Sequence, residues 1–305
     1  MNTSPDATAA RPSGGALGRG LGLVLELTKA RITAFVSLSV LTGYVLFARR
    51  IDAGVLLPIL GVFLLACGSA ALNHVQEVRY DARMRRTRDR PIPSGRIARD
   101  WALFVALAFM GAGFTVLGSI ERHTLTVLGL GALAVVWYNG VYLLLKRVTA
   151  FAVVPGALVG AIPPVIGWAA AGGVATDALI LDVAFFFLLW QIPHFWLLLL
   201  LYGEDYEQAG FPTPRRYFHA RNVGLVTFAW ILALAATGLA LAPRQGYRLP
   251  WNLLILVASI WLVFSSVPIL RRSDDRKAVL SAFLRINLYA FVIMLILVAH
   301  ALLVG

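Results

Sequence analysis

"ALNHVQEVRYDARMRRTRDRPIPSG", residues 71–95, begins as the end of an apolar helix and turns into carboxylates and then arginines. Asn73, Glu77 and Asp81 follow one another at steps of four. Four residues advance about 400° around an α-helix and about 6 Å along it, so the three polar side chains share one face with a drift of about 40° per step. Carboxylates on a hydrophobic helix are costly unless they turn to an interior and meet cations. Arg85, Arg86, Arg88 and Arg90 stand directly downstream, where Pro91 and Pro93 stiffen the loop and Gly95 permits a turn.

Outward from this stretch the chain reads as a membrane protein. Of its 305 residues 59% are hydrophobic and 14% charged, with a mean hydropathy of +0.79, whereas soluble domains carry about a quarter charged residues. Crossing about 30 Å of hydrocarbon takes about 20 apolar residues. Such runs read at 32–48, 53–75, 101–119, 124–144, 150–171, 178–201, 223–242, 250–270 and 279–303. The predicted fold class is therefore all-α, a polytopic membrane protein of about nine transmembrane helices. Residues 1–26 contain a short "GLGLVLEL" run broken by Glu26, with no convincing cleavage site after it. They are expected to be a disordered tail before a transmembrane domain over residues 27–305.

A net charge of +12 invites a nucleic-acid reading. With the N-terminus placed in the cytoplasm, however, all 27 Lys and Arg fall on the cytoplasmic side except Arg49, Arg50, Arg122, Arg244 and Arg248. This positive-inside bias accounts for the charge. The expectation is a multi-pass protein of the cell (inner) membrane, with the lipid bilayer as partner, no nucleic acid, and the C-terminus outside. The single Cys67 excludes an internal disulfide and reads as a small buried thiol.

Most connections are tight, but 76–100 and 203–222 are long, and long loops in compact folds are usually functional or disordered. Both begin with carboxylates at a helix end, and four helices separate them, which suggests a weak internal duplication. The second loop contributes Glu204, Asp205 and Glu207. Hard oxygens from two helix ends, with arginines nearby, suit Mg²⁺ bridging to a phosphate-rich ligand. Arg88, Arg90, Lys146 and Arg147 would then hold the outer phosphate oxygens. A plainer reading stands beside this one: topology alone puts arginines in cytoplasmic loops, and helix-end carboxylates are often their solvated partners.

Asn73-x3-Glu77-x3-Asp81 followed by "RTRDRPIPSGRI" resembles the first Asp-rich motif of the UbiA superfamily of intramembrane prenyltransferases, and most closely its protohaem IX farnesyltransferase branch. "LTKARIT", "KRVTAFAVVPGALVGAIPPVIGWAAAGG" and "WQIPHFWLLLLLYGEDYEQAGFPTP" agree with that branch, so the resemblance runs from about residue 25 to the last helix. Glu77, Ala30 and Arg79 depart from it, standing where the family usually has Asp, Pro and another acid.

The resemblance implies a UbiA-type bundle with a central cavity, and transfer of farnesyl from farnesyl diphosphate to a vinyl group of haem B, with Mg²⁺ as cofactor, to give haem O. In that scheme Asn73, Glu77, Asp81, Glu204 and Asp205 hold the metal, and Arg88, Arg90, Lys146 and Arg147 hold the diphosphate. Asp81, Lys146 and Asp205 are the residues expected to carry catalysis, and Tyr142, His194 and Trp196 would line a haem or acceptor pocket. A downstream haem A synthase or terminal oxidase assembly is a compatible partner. His194, an ionisable group within a membrane helix, is functional by default; its plainer role is donation to a carbonyl freed by Pro193. Tyr142, one turn before Lys146, has the plainer reading of an interfacial tyrosine. His74 is expected to pack and His300 to be interfacial. The eight tryptophans are expected to act as membrane-interface anchors, and Gly156 and Gly160 to bring the fifth helix against a neighbour. Rival readings are a UbiA-type enzyme with an aromatic or quinone-precursor acceptor and, in a different class, a polytopic transporter.

Overall fold

A computed structural model of the chain describes residues 16–244 and 246–304. Among the described residues, nine segments are long and apolar enough to cross a membrane, and each coincides with a run read from hydropathy. The helices are α1 (Ala16–Thr28), α2 (Ala30–Ala48), α3 (Leu56–Asp81), α4 (Arg99–Gly118), α5 (Thr124–Val136), α6 (Leu143–Val148), α7 (Val153–Gly156), α8 (Leu158–Ala171), α9 (Ala178–Gln208), α10 (Ala220–Arg244), α11 (Trp251–Ser266) and α12 (Arg276–Leu303). The main difference from sequence lies at two ends. α3 and α9 continue as helix to Asp81 and Gln208, past their last apolar residues, because hydropathy marks depth in lipid and Glu, Gln and Arg sustain a helix beyond it.

The expected disordered tail is helical from Ala16 onwards, and residues 1–15 lie outside the described residues. Packing overrides the local glycines. Leu27 of α1 is fully buried against Ala71, Val75, Ile97 and Ala102, with Leu23 and Val24 beside it. Arg96 grips the Glu26 carboxylate through both terminal nitrogens at 2.8 Å. α1 therefore lies across the loop that leaves α3.

Consecutive long helices pack as neighbours around the bundle, and α12 closes it by touching both α9 and α2. The tightest crossing is between α2 and α8. A side chain at Gly43 would meet the backbone carbonyl of Pro164, and one at Gly167 that of Val40, so both positions must stay bare for the helices to approach this closely. The small pair singled out from sequence also allows close approach to neighbours, with side chains in place of backbone: Gly156 makes room for the Tyr142 ring and Gly160 for the Gln191 side chain of α9. Other expectations are also corrected. Trp168 and Trp196 are buried in the core and are not interfacial anchors. His300 is buried against the Tyr247 ring at 3.7 Å and the Trp251 ring at 5.4 Å. Cys67 is buried beside the Thr33 hydroxyl, as expected.

Candidate active site at the ends of α3 and α9

The helical spacing of Asn73, Glu77 and Asp81 puts all three on one buried face of α3, with Asp81 fully enclosed. Asn73 Nδ2 donates to Glu77 Oε2 at 3.0 Å. Glu77 Oε1 lies 2.6 Å from Lys146 Nζ. Both Asp81 oxygens accept from one Arg90 nitrogen at 2.8 Å. Arg90 reaches Asp81 because the loop coils back on itself, through turns such as Arg88 N–H to Met84 O at 2.9 Å and a bond from the Thr87 hydroxyl to the Asp81 carbonyl at 2.9 Å. Prolines and Gly95 (φ +72°) then close the loop towards α4.

Lys146 is delivered by an interruption that the sequence did not reveal. α5 passes through a π-helical turn, Trp137–Tyr142, before becoming α6, and such turns are common at functional sites. Gln76 of α3 donates to the Asn139 carbonyl at 3.0 Å, and Asn139 Nδ2 donates to the Ser69 carbonyl at 3.0 Å, so the turn is fastened to α3. Beyond it, Lys146 lies 5.4 Å from the centre of the Tyr142 ring. Arg147 donates to the Gln76 carbonyl at 3.1 Å and covers the Tyr80 ring at 5.0 Å.

The second loop arrives from α9, whose backbone leaves helical geometry at Tyr202 (φ −127°). Arg85 lies 3.5 Å from Asp205 and 3.9 Å from Glu204, and Arg86 stacks 4.4 Å over the Tyr202 ring. α9 ends where Gly210 takes φ +91° and Phe211 N–H returns to the Tyr206 carbonyl at 2.9 Å, a glycine C-cap that turns the following residue back onto the helix. Phe211 then packs on Met84, Tyr80 and Tyr206 and lies 5.6 Å from Lys146 Nζ. The two long loops thus meet over Lys146.

Most, but not all, of the expected site residues come together. Asn73, Glu77, Asp81, Arg90 and Lys146 come together at the end of α3, while Asp205 pairs with the exposed Arg85. Arg88 is exposed and faces Asp89 at 3.9 Å, away from that group. Glu204 is 75% exposed. Trp196 is packed beside Phe151 in the core. Glu207 is exposed and accepts from the buried Thr213 hydroxyl. Among the described residues no three carboxylate, histidine or cysteine side chains gather into a ready-made metal cage. The donors still fit a hard cation, since Mg²⁺ is commonly held by one or two carboxylates together with substrate phosphate oxygens.

Sequence reasoning missed Lys29, which it counted only as charge. Lys29 joins α1 to α2 in the left-handed region, φ 50° and ψ 40°, a conformation that costs a non-glycine residue about 1–3 kcal/mol and clusters at functional sites. Burial, followed by the positive charges of Arg90 and Lys146, pushes its ammonium down to about 7, against the opposing pull of Asp81 and Glu77. The signal available was its place in "LTKARIT", a stretch quoted only for its likeness. Arg85 and Arg86 were likewise noted without a partner.

A second polar feature lies deeper in the bundle. Asn287 of α12 donates its amide to the Phe283 carbonyl at 2.6 Å, so its oxygen faces His194 Nδ1 at 3.0 Å. Nδ1 must then carry the proton, leaving Nε2 with a free lone pair. Trp190, Phe283 and Phe195 surround the imidazole at 5.0, 4.8 and 5.7 Å, and Phe195 stacks on Tyr142 at 5.6 Å. The plainer alternative, a bond to a carbonyl freed by Pro193, gives way to this side-chain contact with α12.

Comparison with known proteins identifies the family and the fold. The pattern of the UbiA prenyltransferase family matches residues 32–303. The chain is 39% identical over 237 residues to a protoheme IX farnesyltransferase of Geobacter sulfurreducens, covering 74% of this chain and 84% of the relative. It is 34% identical over 284 residues to a protoheme IX farnesyltransferase of Cereibacter sphaeroides, covering 88% of each. Its fold superposes on a digeranylgeranylglyceryl phosphate synthase with a TM-score of 0.75 at 14% identity, covering 93% of this chain and 99% of that one. It also superposes on a UbiA homolog from Archaeoglobus fulgidus bound to DMAPP and Mg²⁺, with a TM-score of 0.68 at 14% identity, covering 92% and 99%. With two carboxylate-bearing helix ends, cations interleaved between them and this match along nearly its whole length, the chain belongs to the UbiA prenyltransferase family.

Proposed function

We propose that this protein transfers the farnesyl group of farnesyl diphosphate to a vinyl group of haem B, with Mg²⁺ as cofactor, giving haem O. The observation that carries the reading is the alternation of charge at the α3 end, Glu77 with Lys146 and Asp81 with Arg90, in a chain whose relatives are protoheme IX farnesyltransferases. Asn73, Glu77, Asp81 and Asp205 would hold the metal, with Glu204 at the edge. Lys146, Arg90, Lys29 and Arg85 would face the diphosphate, with Arg147 bracing Tyr80 beside them. Arg88 would join only after its loop moves. Mg²⁺, when bound, neutralises charge developing on the departing diphosphate.

The difficult step is ionisation of the allylic C–O bond. The diphosphate leaves with the bonding electron pair, so cations that bind it better as it departs lower the barrier. The vinyl π electrons then form the new C–C bond to the farnesyl carbon. The cation left next to the porphyrin is captured by water, which loses a proton, so that haem B, farnesyl diphosphate and water give haem O and diphosphate. Tyr138, Tyr142 and Phe195 stack in series, with Lys146 beside Tyr142 and His194 beside Phe195, an aromatic wall that would keep water from the allylic cation until the vinyl group attacks. His194 would meet the haem through the Nε2 lone pair, on the iron, its tautomer fixed by Asn287. The decisive test is mass spectrometry of haems from a haem-O-lacking host expressing the chain. A haem B species heavier by farnesyl and hydroxyl is expected, and its absence from a well-expressed protein overturns the reading.

His194→Ala should weaken haem binding, followed by the Soret band, while farnesyl diphosphate binding persists. Equal loss of both, or of neither, would make His194 only a partner of Asn287. We also place loops 76–100 and 203–222 in the cytoplasm, on the charge bias described above. An exposed Ser94→Cys should resist an impermeant thiol reagent outside intact cells and react after permeabilisation; labelling from outside would reverse the orientation.

A further inference from the structure

A cavity of about 250 Å³ opens between the end of α11 and the start of α12. α12 faces it with Ala278, Ser281, Ala282 and Arg285, the i, i+3, i+4, i+7 face of a helix. Ser265 and Ser266 of α11 stand opposite. The small side chains leave the space, and polar groups stand among the apolar ones that line it. Ser266 is 1% exposed and its hydroxyl has no hydrogen-bond partner. Arg285 donates to the Ser265 carbonyl through one nitrogen, and a guanidinium has five N–H donors. Arg272 and Lys277 form the rim, against one carboxylate, Asp275, which accepts the Lys277 N–H at 2.9 Å and caps α12. Phe264, Leu284 and Leu288 are exposed on the same two helices towards the membrane interior.

We propose that this cleft binds the phosphate of an anionic phospholipid headgroup. Three cations against one carboxylate select a net negative ligand. The orphaned Ser266 hydroxyl supplies a donor at the base, and the helix start supplies free N–H groups. The exposed apolar side chains on α11 and α12 are what acyl chains would cover, which favours a lipid over a soluble phosphate. The site is separate from the group around Lys146, and basic clefts between helices at a membrane surface bind such headgroups.

The test is the thermal midpoint of the purified full-length protein in neutral detergent, titrated separately with short-chain phosphatidylglycerol, short-chain phosphatidylcholine and inorganic phosphate. Ligand that binds only the folded state raises the midpoint. Phosphatidylglycerol alone is expected to do so, and the exposed pair Arg272→Gln with Lys277→Gln should need a concentration on the order of 10-fold higher for the same shift. Arg285→Gln removes the contact to Ser265 as well and can unfold the cleft, so the rim variant decides. An unchanged response in the rim variant overturns the site. An equal response to phosphatidylcholine overturns the charge selection, and an equal response to inorganic phosphate shows that the site serves a soluble anion.

Discussion

Glu77→Gln should slow farnesyl transfer by about 10²–10³-fold, the usual loss when a charge-stabilising group is removed from a preorganised site. Glutamine keeps the shape of the side chain and its contact with Asn73 Nδ2, but it leaves Lys146 Nζ, now 2.6 Å from a carboxylate oxygen, without its counter-charge. Metal would also lose a hard anionic donor. Glu77→Asp retains the charge on a shorter arm and should keep a larger share of activity at a shifted Mg²⁺ optimum. Asp89→Asn is the control, since the Asp89 side chain is 87% exposed and its carboxylate faces the exposed Arg88. Turnover of Glu77→Gln at the parental rate in low Mg²⁺ would reduce Glu77 to a structural partner of Lys146.

The second large effect belongs to Asp81 and Arg90. Asp81 is fully buried and both its oxygens are held by Arg90, so removing either partner strands a charge, at a typical cost of about 3–5 kcal/mol. Asp81→Asn and Arg90→Gln should each lower the thermal midpoint and expose residues 82–98 to protease. Combining them removes both charges at once, so stability should recover while farnesyl transfer stays lost. A double variant as unstable as the two single losses added together would mean that the pair is not what fastens the loop.

Much of this was legible in sequence, for reasons that differ between elements. The nine spans follow from hydropathy because lipid enforces long apolar runs. The shared face of Asn73, Glu77 and Asp81 follows from helical period alone. What remained hidden depends on partners far along the chain. α1 is glycine-rich and helical only because Leu27 and Glu26 meet residues 71–102. The π-helical turn that presents Lys146 is set by Asn139 and Gln76, which lie 63 positions apart. The close crossing of α2 over α8 rests on Gly43 and Gly167, while the more conspicuous Gly156 and Gly160 accommodate single side chains. Spacing likewise could not tell an exposed Arg88 from an engaged Arg90, since the loop's turns decide which of them points inward.

The ion pairs at the α3 end also constrain how substrate arrives. Glu77, Asp81 and Asp205 each already face a cation, Lys146, Arg90 and Arg85. At Glu77 and Asp81, metal arriving alone would evict an ammonium and a guanidinium group into surroundings that solvate them poorly, and diphosphate arriving alone would do the same to the carboxylates. Arrival of the two as one complex lets every group swap a protein partner for a ligand partner, with little change in total charge. On the proposed assignment such a site would behave as an ion exchanger. It would discriminate against the free metal and the free anion alike, and its apparent affinity for Mg²⁺ should rise steeply once an isoprenoid diphosphate is present.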